Sequence, residues 1–226
     1  VTLHWLYCIF VLFIYQGSGA KMNATVKAAK AALRKQMKTV LSGMSAAEKQ
    51  QQSEAVTQKL LSSQVYQSAN RIAIFLSMHD EIDTKQILLS SLEAGKTCFI
   101  PRYDSKSRNM DMVRLHSVSD YDGLPETSWK IKQPPLDEQR EDALKTGGLD
   151  LVLVPGLAFT EAGHRLGRGR GYYDTFMSSC ASLGGAAPAP SLVAVAFTQQ
   201  LLPHVPTDET DVTVHIVLTA DTESSQ

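Results

Sequence analysis

Asp150-Leu151-Val152-Leu153-Val154-Pro155 and, ten residues on, Arg165-Leu166-Gly167-Arg168-Gly169-Arg170-Gly171-Tyr172-Tyr173-Asp174 decide the fold between them. The first is an unbroken apolar run bounded by Asp150 and Pro155, as expected of a strand buried in a parallel sheet. The second ends in Tyr172-Tyr173-Asp174-Thr175-Phe176-Met177, which can open a helix over residues 171–183. Between them three glycines alternate with two arginines. Glycine lets backbone N–H groups approach a ligand closely, and arginine adds a fork of donors suited to phosphate. The helix start supplies free N–H groups and the positive end of its dipole. Strand, glycine-arginine loop and helix start together can build a polyphosphate site.

The spacing matches neither a P-loop, since no Lys-Ser/Thr pair follows, nor the Gly-x-Gly-x-x-Gly fingerprint. Two plainer roles fit the same composition: a surface loop with solvated arginines, or an arginine-glycine segment that binds RNA. Against the second stand its shortness and its place between regular elements. The net charge of −1 on 226 residues also argues against nucleic acid and anionic membrane surfaces, since there is no global basic field. Any anion must be gathered locally.

A hydrophobic fraction of 43% and a charged fraction of 20% are those of a folded domain with a substantial core. Cys8, Cys98 and Cys180 have neither metal-ligand spacing nor a pairing pattern, and Cys98 is expected to be a small core residue. Residues 3–15 are apolar apart from His4, too short a run to cross a bilayer comfortably. They read either as a signal-peptide core, with Ser18-Gly19-Ala20 as cleavage site, or as sequence upstream of a start at Met22. No Lys or Arg precedes the run, which favours the second reading. The expected organisation is an apolar extension over residues 1–21, one domain over 22–220 and a flexible tail over 221–226, in a cytoplasmic protein.

Along the domain, Val26, Ala29, Leu33, Met37 and Val40 recur at helical spacing over residues 25–42. Lys30 and Arg34, four residues apart, point from one face of that helix. Ser45 and Glu48 form a capping box for a helix running to residue 61. Asp83-Thr84 caps another that ends at Gly95. Strands are expected over 72–76, 97–100, 110–115, 151–154, 192–197 and 212–218. Alternating strands and helices make this an α/β protein with a largely parallel sheet. Residues 117–148 form a long polar stretch, and 184–190 a surface link.

The glycine-arginine stretch resembles the signature of the 5-formyltetrahydrofolate cyclo-ligase (5,10-methenyltetrahydrofolate synthetase) family. Further matches follow in order: Lys30-Ala31-Ala32-Leu33-Arg34, Ile74-Phe75-Leu76-Ser77-Met78-His79-Asp80-Glu81-Ile82, Ile100-Pro101-Arg102-Tyr103 and Met110-Asp111-Met112-Val113-Arg114. Thr127-Ser128-Trp129, Thr146-Gly147-Gly148-Leu149-Asp150 and Asp211 complete the series, which runs from residue 26 to residue 218. The resemblance implies a single three-layer α/β/α domain with a mostly parallel, Rossmann-like central sheet. It implies a monomeric ligase that uses ATP and Mg²⁺ on 5-formyltetrahydrofolate, with polyglutamylated forms of that substrate left open.

Residue by residue, the resemblance puts Lys30, Arg34, Arg165, Leu166, Gly167, Arg168, Gly169, Arg170, Gly171, Tyr172 and Tyr173 on ATP. It puts Leu76, Glu81, Trp129, Arg168, Gly169, Arg170, Gly171 and Tyr172 on the folate, and Asp174 and Asp211 on magnesium. Arg168, Arg170 and Tyr172 would be the catalytic groups. His215 stands where members of the family often carry another acid. The implied chemistry transfers the γ-phosphoryl of ATP to the formyl oxygen, after which N10 attacks the activated carbon and phosphate leaves. That oxygen carries no proton, so the first step needs no general base, only positioning and charge neutralisation. Taken alone, Lys30 and Arg34 read as a solvated face, Glu81 as a surface acid, and Asp174 and Asp211 as caps.

Overall fold

In the computed structural model, β4 (Leu151–Val154) lies inside a six-stranded sheet with all four side chains fully buried. Successive strand side chains point to opposite faces, so this burial means that both faces are covered. The strand pairs in parallel with β1 (Arg71–Ala73) on one side and β7 (Ser191–Val195) on the other. Outward from β1 come β2 (Thr97–Tyr103), parallel, and β3 (Met110–Leu115), antiparallel at the edge. Outward from β7 comes β8 (Ile216–Leu218), parallel, giving the order β3-β2-β1-β4-β7-β8. The expected mostly parallel α/β sheet is therefore present. The structure describes residues 24–104, 107, 109–127, 130–182 and 188–222. Expectations for residues 1–21, for Trp129 and for the tail past residue 222 lie outside them, as does most of the 184–190 link.

Among the described residues there are six helices: α1 over residues 24–43, α2 (Ala46–Ser62), α3 (Gln64–Ser68), α4 (Lys85–Glu93), α5 (Val118–Gly123) and α6 (Tyr172–Ser182). α4 packs on β2, and α2 packs against α4 and β8. At the start of α2, Ser45 Oγ accepts from the Glu48 N–H as the capping box requires. The Glu48 carboxylate instead accepts from Gln199, which ties α2 to the segment after β7. At α4, Asp83 Oδ1 accepts from the Lys85 N–H, while the Thr84 hydroxyl donates to the Phe75 carbonyl at 2.5 Å.

Four local expectations change. The short α3 follows α2 directly, opened by Ser63, whose hydroxyl accepts from the Tyr66 N–H. Residues 155–171 are not one loop: they contain a hairpin of β5 (Ala158–Phe159) and β6 (Arg165–Leu166). The last strand begins at Ile216 because the Val214 N–H donates to Gly163 in that hairpin at 2.9 Å. The long stretch 117–148 holds α5 and a 3-10 turn (Ala143–Lys145). It is fixed by Arg140, which forks onto Asp120 with both bonds at 2.7 Å.

Strand order positions the site. From β1 the chain steps outward through β2 and β3, then returns to the other side of β1 and steps the opposite way through β4, β7 and β8. The loops that leave the carboxyl ends of β1 and β4 therefore diverge, and a crevice opens between them.

The hairpin is held close to the last strand by a glycine. A Cβ on Gly163, whose φ is +83, would stand 2.1 Å from the Val214 carbonyl oxygen. Gly163→Ala should therefore cost about 2–5 kcal/mol, from left-handed strain plus the clash, and lower Tm by roughly 5–15 °C. An unchanged melting curve would refute the close approach of residue 214 to this turn.

Candidate active site

The crevice holds a cavity of about 250 Å³ between the two loops. From the β1 side come Phe75, Leu76, Met78 and Glu81; from the β4 side come Pro155, Gly156, Arg165, Gly167, Arg168 and Arg170. Tyr172, Tyr173 and Asp174 at the start of α6 close it, together with Tyr103 from β2 and Ile131. Most of the expected ATP and folate residues of the two loops thus meet around one space, but Leu166 and Gly169 do not line it. Its aromatic and aliphatic walls suit a flat ring, and its cations suit a phosphate chain.

Arg168 is the hub. Its guanidinium forks onto Asp80 with bonds of 2.7 and 3.1 Å, and its Nε donates to Glu81 Oε1 at 3.0 Å. Burial works against ionisation of the Asp80 carboxyl, yet hydrogen bonding and charge from Arg168 outweigh it and hold the pKa below its ordinary value. Glu81 goes the other way: burial raises its pKa, and Arg168 with the Met78 N–H only partly offsets this. A carboxylate so placed is primed to accept hydrogen bonds from a ligand.

Arg34 also reaches the site: its Nε donates to the Gly167 carbonyl at 2.8 Å, anchoring α1 to the glycine-arginine turn. Lys30, one helical turn earlier, is buried between Asp208 and Asp211 at 2.5 Å from each. Burial lowers its pKa, but the two carboxylates override that effect and raise it overall. Gly169 and Gly171 take φ of +105 and +76, conformations that L side chains rarely adopt, so the turn needs glycine there. Arg170 is exposed on the cavity rim and makes no ion pair among the described residues.

Other expected site residues are placed differently. Arg165 and Leu166 belong to β6 and are buried; Arg165 donates to Asp174 at 2.7 Å and to the Pro155 carbonyl at 3.1 Å. Leu166 reaches the core, so only its backbone faces the turn. Tyr172 packs its ring on Tyr103 with centroids 5.0 Å apart and donates from its hydroxyl to the Asp104 carbonyl at 3.2 Å. Tyr173 lies buried beside Tyr103, and burial pushes both phenols above their ordinary values. Asp174 and Asp211, expected on magnesium, are each paired with a cation expected on ATP. His215 uses Nδ1 to accept from the Leu192 N–H at 3.0 Å, which makes it part of the sheet edge.

Asp80, Asp208 and Tyr103 were missed by the sequence reading as site residues. Asp80 sits in the acidic run Asp80-Glu81-Ile82-Asp83 and Asp208 beside Glu209, where a lone acid reads as solvated. Their partners lie 88 and 178 residues away in the chain, so no local signal marks them.

A model of the 5-formyltetrahydrofolate cyclo-ligase family matches residues 26–220. The chain is 47% identical over 201 residues to the 5-formyltetrahydrofolate cyclo-ligase of Mus musculus, covering 89% of this chain and 98% of the relative. It is 38% identical over 195 residues to a probable 5-formyltetrahydrofolate cyclo-ligase of Caenorhabditis elegans, covering 86% and 94%. In solved structures it resembles the 5,10-methenyltetrahydrofolate synthetase of Aquifex aeolicus, with a TM-score of 0.70, 25% identity and coverage of 86% and 91%.

Lys30 holds the Asp208 carboxyl down to about 2, with help from Thr210. In Lys30→Met that carboxyl should titrate nearer its ordinary value of 3.8, as followed by carboxyl carbon shifts in NMR. Because the folded value is the lower one, the pairing stabilises the wild type above pH 3.8 and fades as pH falls toward about 2. Titration still near 2 in the variant would show that Lys30 is not the cause.

Proposed function

The chain belongs to the 5-formyltetrahydrofolate cyclo-ligase family, and we propose that the cavity between the β1 and β4 loops is where it does that family's chemistry. It is an enzyme that converts 5-formyltetrahydrofolate to 5,10-methenyltetrahydrofolate with ATP as co-substrate. The observation that carries the site assignment is the meeting of Glu81, Arg168 and Arg170 around one aromatic-walled space at the reversal in strand order.

In this reading the backbone of Gly167, Gly169 and Gly171, with Arg168, Arg170, Lys30 and Arg34, binds the phosphates and neutralises charge around the transferred group. Leu76, Tyr172 and Tyr103 hold the pterin ring, and Glu81 accepts from its N–H groups. The same residues hold the formyl oxygen in line with the terminal phosphorus, which is most of what phosphoryl transfer asks of a protein. No side chain needs to take a proton from that oxygen. Tyr173 and Leu166 shape the cleft from beneath, and Arg165 acts by orienting Asp174.

Magnesium fits the donor set: Asp174 and Asp211 offer hard oxygen ligands, and Mg²⁺ commonly takes only one or two carboxylates plus phosphate oxygens. When bound it would neutralise phosphate charge. Taken as a monomer in the cytoplasm, the protein would keep Cys98 and Cys180 as the free thiols they are here.

A second cleft, of about 780 Å³, shares Leu76, Met78, Glu81 and Ile131 with the first. Lys49, Lys85, Lys130 and Lys132 stand on its walls, so a glutamate tail leaving the pterin would meet cations there. Glu54, Asp83 and Glu126 share those walls, and each exposed pairing is worth only about 0.2–1 kcal/mol. Polyglutamylated folate is the substrate form this cleft suits. Lys85 opens α4, where an acid is favourable, so Lys85→Glu should fold normally. It should raise KM for polyglutamylated substrate roughly three- to tenfold and leave kcat unchanged. Equal KM in both proteins would remove the cleft from tail binding.

Growth of methenyl-folate absorbance on supplying 5-formyltetrahydrofolate, ATP and Mg²⁺ tests the activity. Arg168→Lys keeps the charge but loses the fork, and should cut kcat about a hundredfold or more with Tm within a few degrees of wild type. Wild-type turnover in that variant would take Arg168 out of the mechanism.

A further inference from the structure

Arg168 is gripped by two carboxylates, and they stand in different places. Glu81 lines both the pterin-sized cavity and the larger cleft beside it. Asp80 lines neither, although it makes the more complete contact, a two-bond fork of 2.7 and 3.1 Å onto the terminal guanidinium nitrogens. Glu81 meets the guanidinium mainly through Nε, at 3.0 Å, with a contact of 2.9 Å to one terminal nitrogen. Two acids for one cation is one more than charge balance needs.

We infer that Asp80 is a positioning residue: it fixes the Arg168 guanidinium from outside the cavity and balances its charge, so that Glu81 stays available to the substrate. A forked arginine-carboxylate pair sets the plane of the guanidinium as well as its place. With both terminal nitrogens on Asp80 and Nε on Glu81, the guanidinium is held in one setting without a search among rotamers. Asp80 is itself only 8% exposed, so water competes poorly for it. Its carboxyl stays ionised under the influence of Arg168 despite that burial, as the role demands. Without Asp80, Arg168 has Glu81 alone as counter-charge, and the substrate must compete with the guanidinium for it.

This inference rests on the proposed role of Arg168 and is tested by Asp80→Asn and Asp80→Glu, with Arg168→Lys as the reference background. Asp80→Asn should lower kcat roughly tenfold and raise KM for 5-formyltetrahydrofolate about three- to tenfold, with KM for ATP within about twofold of wild type. Loss of folded protein would lower kcat and leave both KM values alone, so the split separates positioning from mere stability. Asp80→Glu, which restores the charge and the fork, should recover most of the loss. In the Arg168→Lys background, Asp80→Asn should slow the enzyme no further than about twofold, because the group it acts through is already changed. Unchanged kcat and KM in Asp80→Asn, or the same slowing in both backgrounds, would overturn the inference while leaving Arg168 in place. Wild-type turnover in Arg168→Lys would instead remove the parent assignment, and Asp80 with it.

Discussion

The site depends on the reversal of strand order between β1 and β4. Both strands run the same way and are bonded side by side, yet their onward connections leave toward opposite edges of the sheet. Backbone cannot fill the space between two diverging loops, so a crevice is forced at their carboxyl ends. What lines it is then set mainly by two short stretches, residues 74–84 and 155–174, with Tyr103 and Ile131 added from elsewhere. The buried apolar strands beneath make that placement rigid: Ile72 and Ala73 of one and the four residues of the other are wholly shielded from water.

Into this crevice the chain brings more charge than its net value of −1 suggests. Three of the cations stand in ion pairs: Arg168 with Asp80 and Glu81, Lys30 with Asp208 and Asp211, and Arg165 with Asp174. In each set the cation has at least one carboxylate beside it, which keeps partly buried guanidinium and ammonium groups from standing unpaired at several kcal/mol each. Such pairings are also exchangeable. A polyphosphate can replace a carboxylate on a cation, and a divalent ion can replace the cation on the carboxylate, without leaving either partner bare. On the site assignment proposed above, the phosphates and the divalent ion would take the places of these partners.

Much of the sheet was legible because β4 is an unbroken apolar run and α1 carries a clear helical repeat. That the glycine-arginine turn would face a cavity was legible too, from its place between a buried strand and a helix start; Gly167, Arg168 and Arg170 line that cavity. What the sequence hid were features decided by distant partners. The β5–β6 hairpin has only two residues per strand and is stabilised from outside by Val214, so no local period announces it. Nothing near Arg165 in the sequence announces that the fold pairs it with Asp174 and the Pro155 carbonyl. Asp80 and Asp208 look like ordinary surface acids until Arg168 and Lys30 are brought to them by the fold.

Whether the turn after β6 clamps a triphosphate beside the folate is most directly read from a crystal structure with 5-formyltetrahydrofolate, Mg²⁺ and a non-hydrolysable ATP analogue. The expected result has the phosphate chain on the N–H groups of residues 167–171 and on Arg170, with Lys30 drawn off Asp211 and the formyl oxygen facing the terminal phosphorus. A nucleotide bound elsewhere, with the Lys30 pairings intact and residues 167–171 turned from an empty cavity, would contradict it.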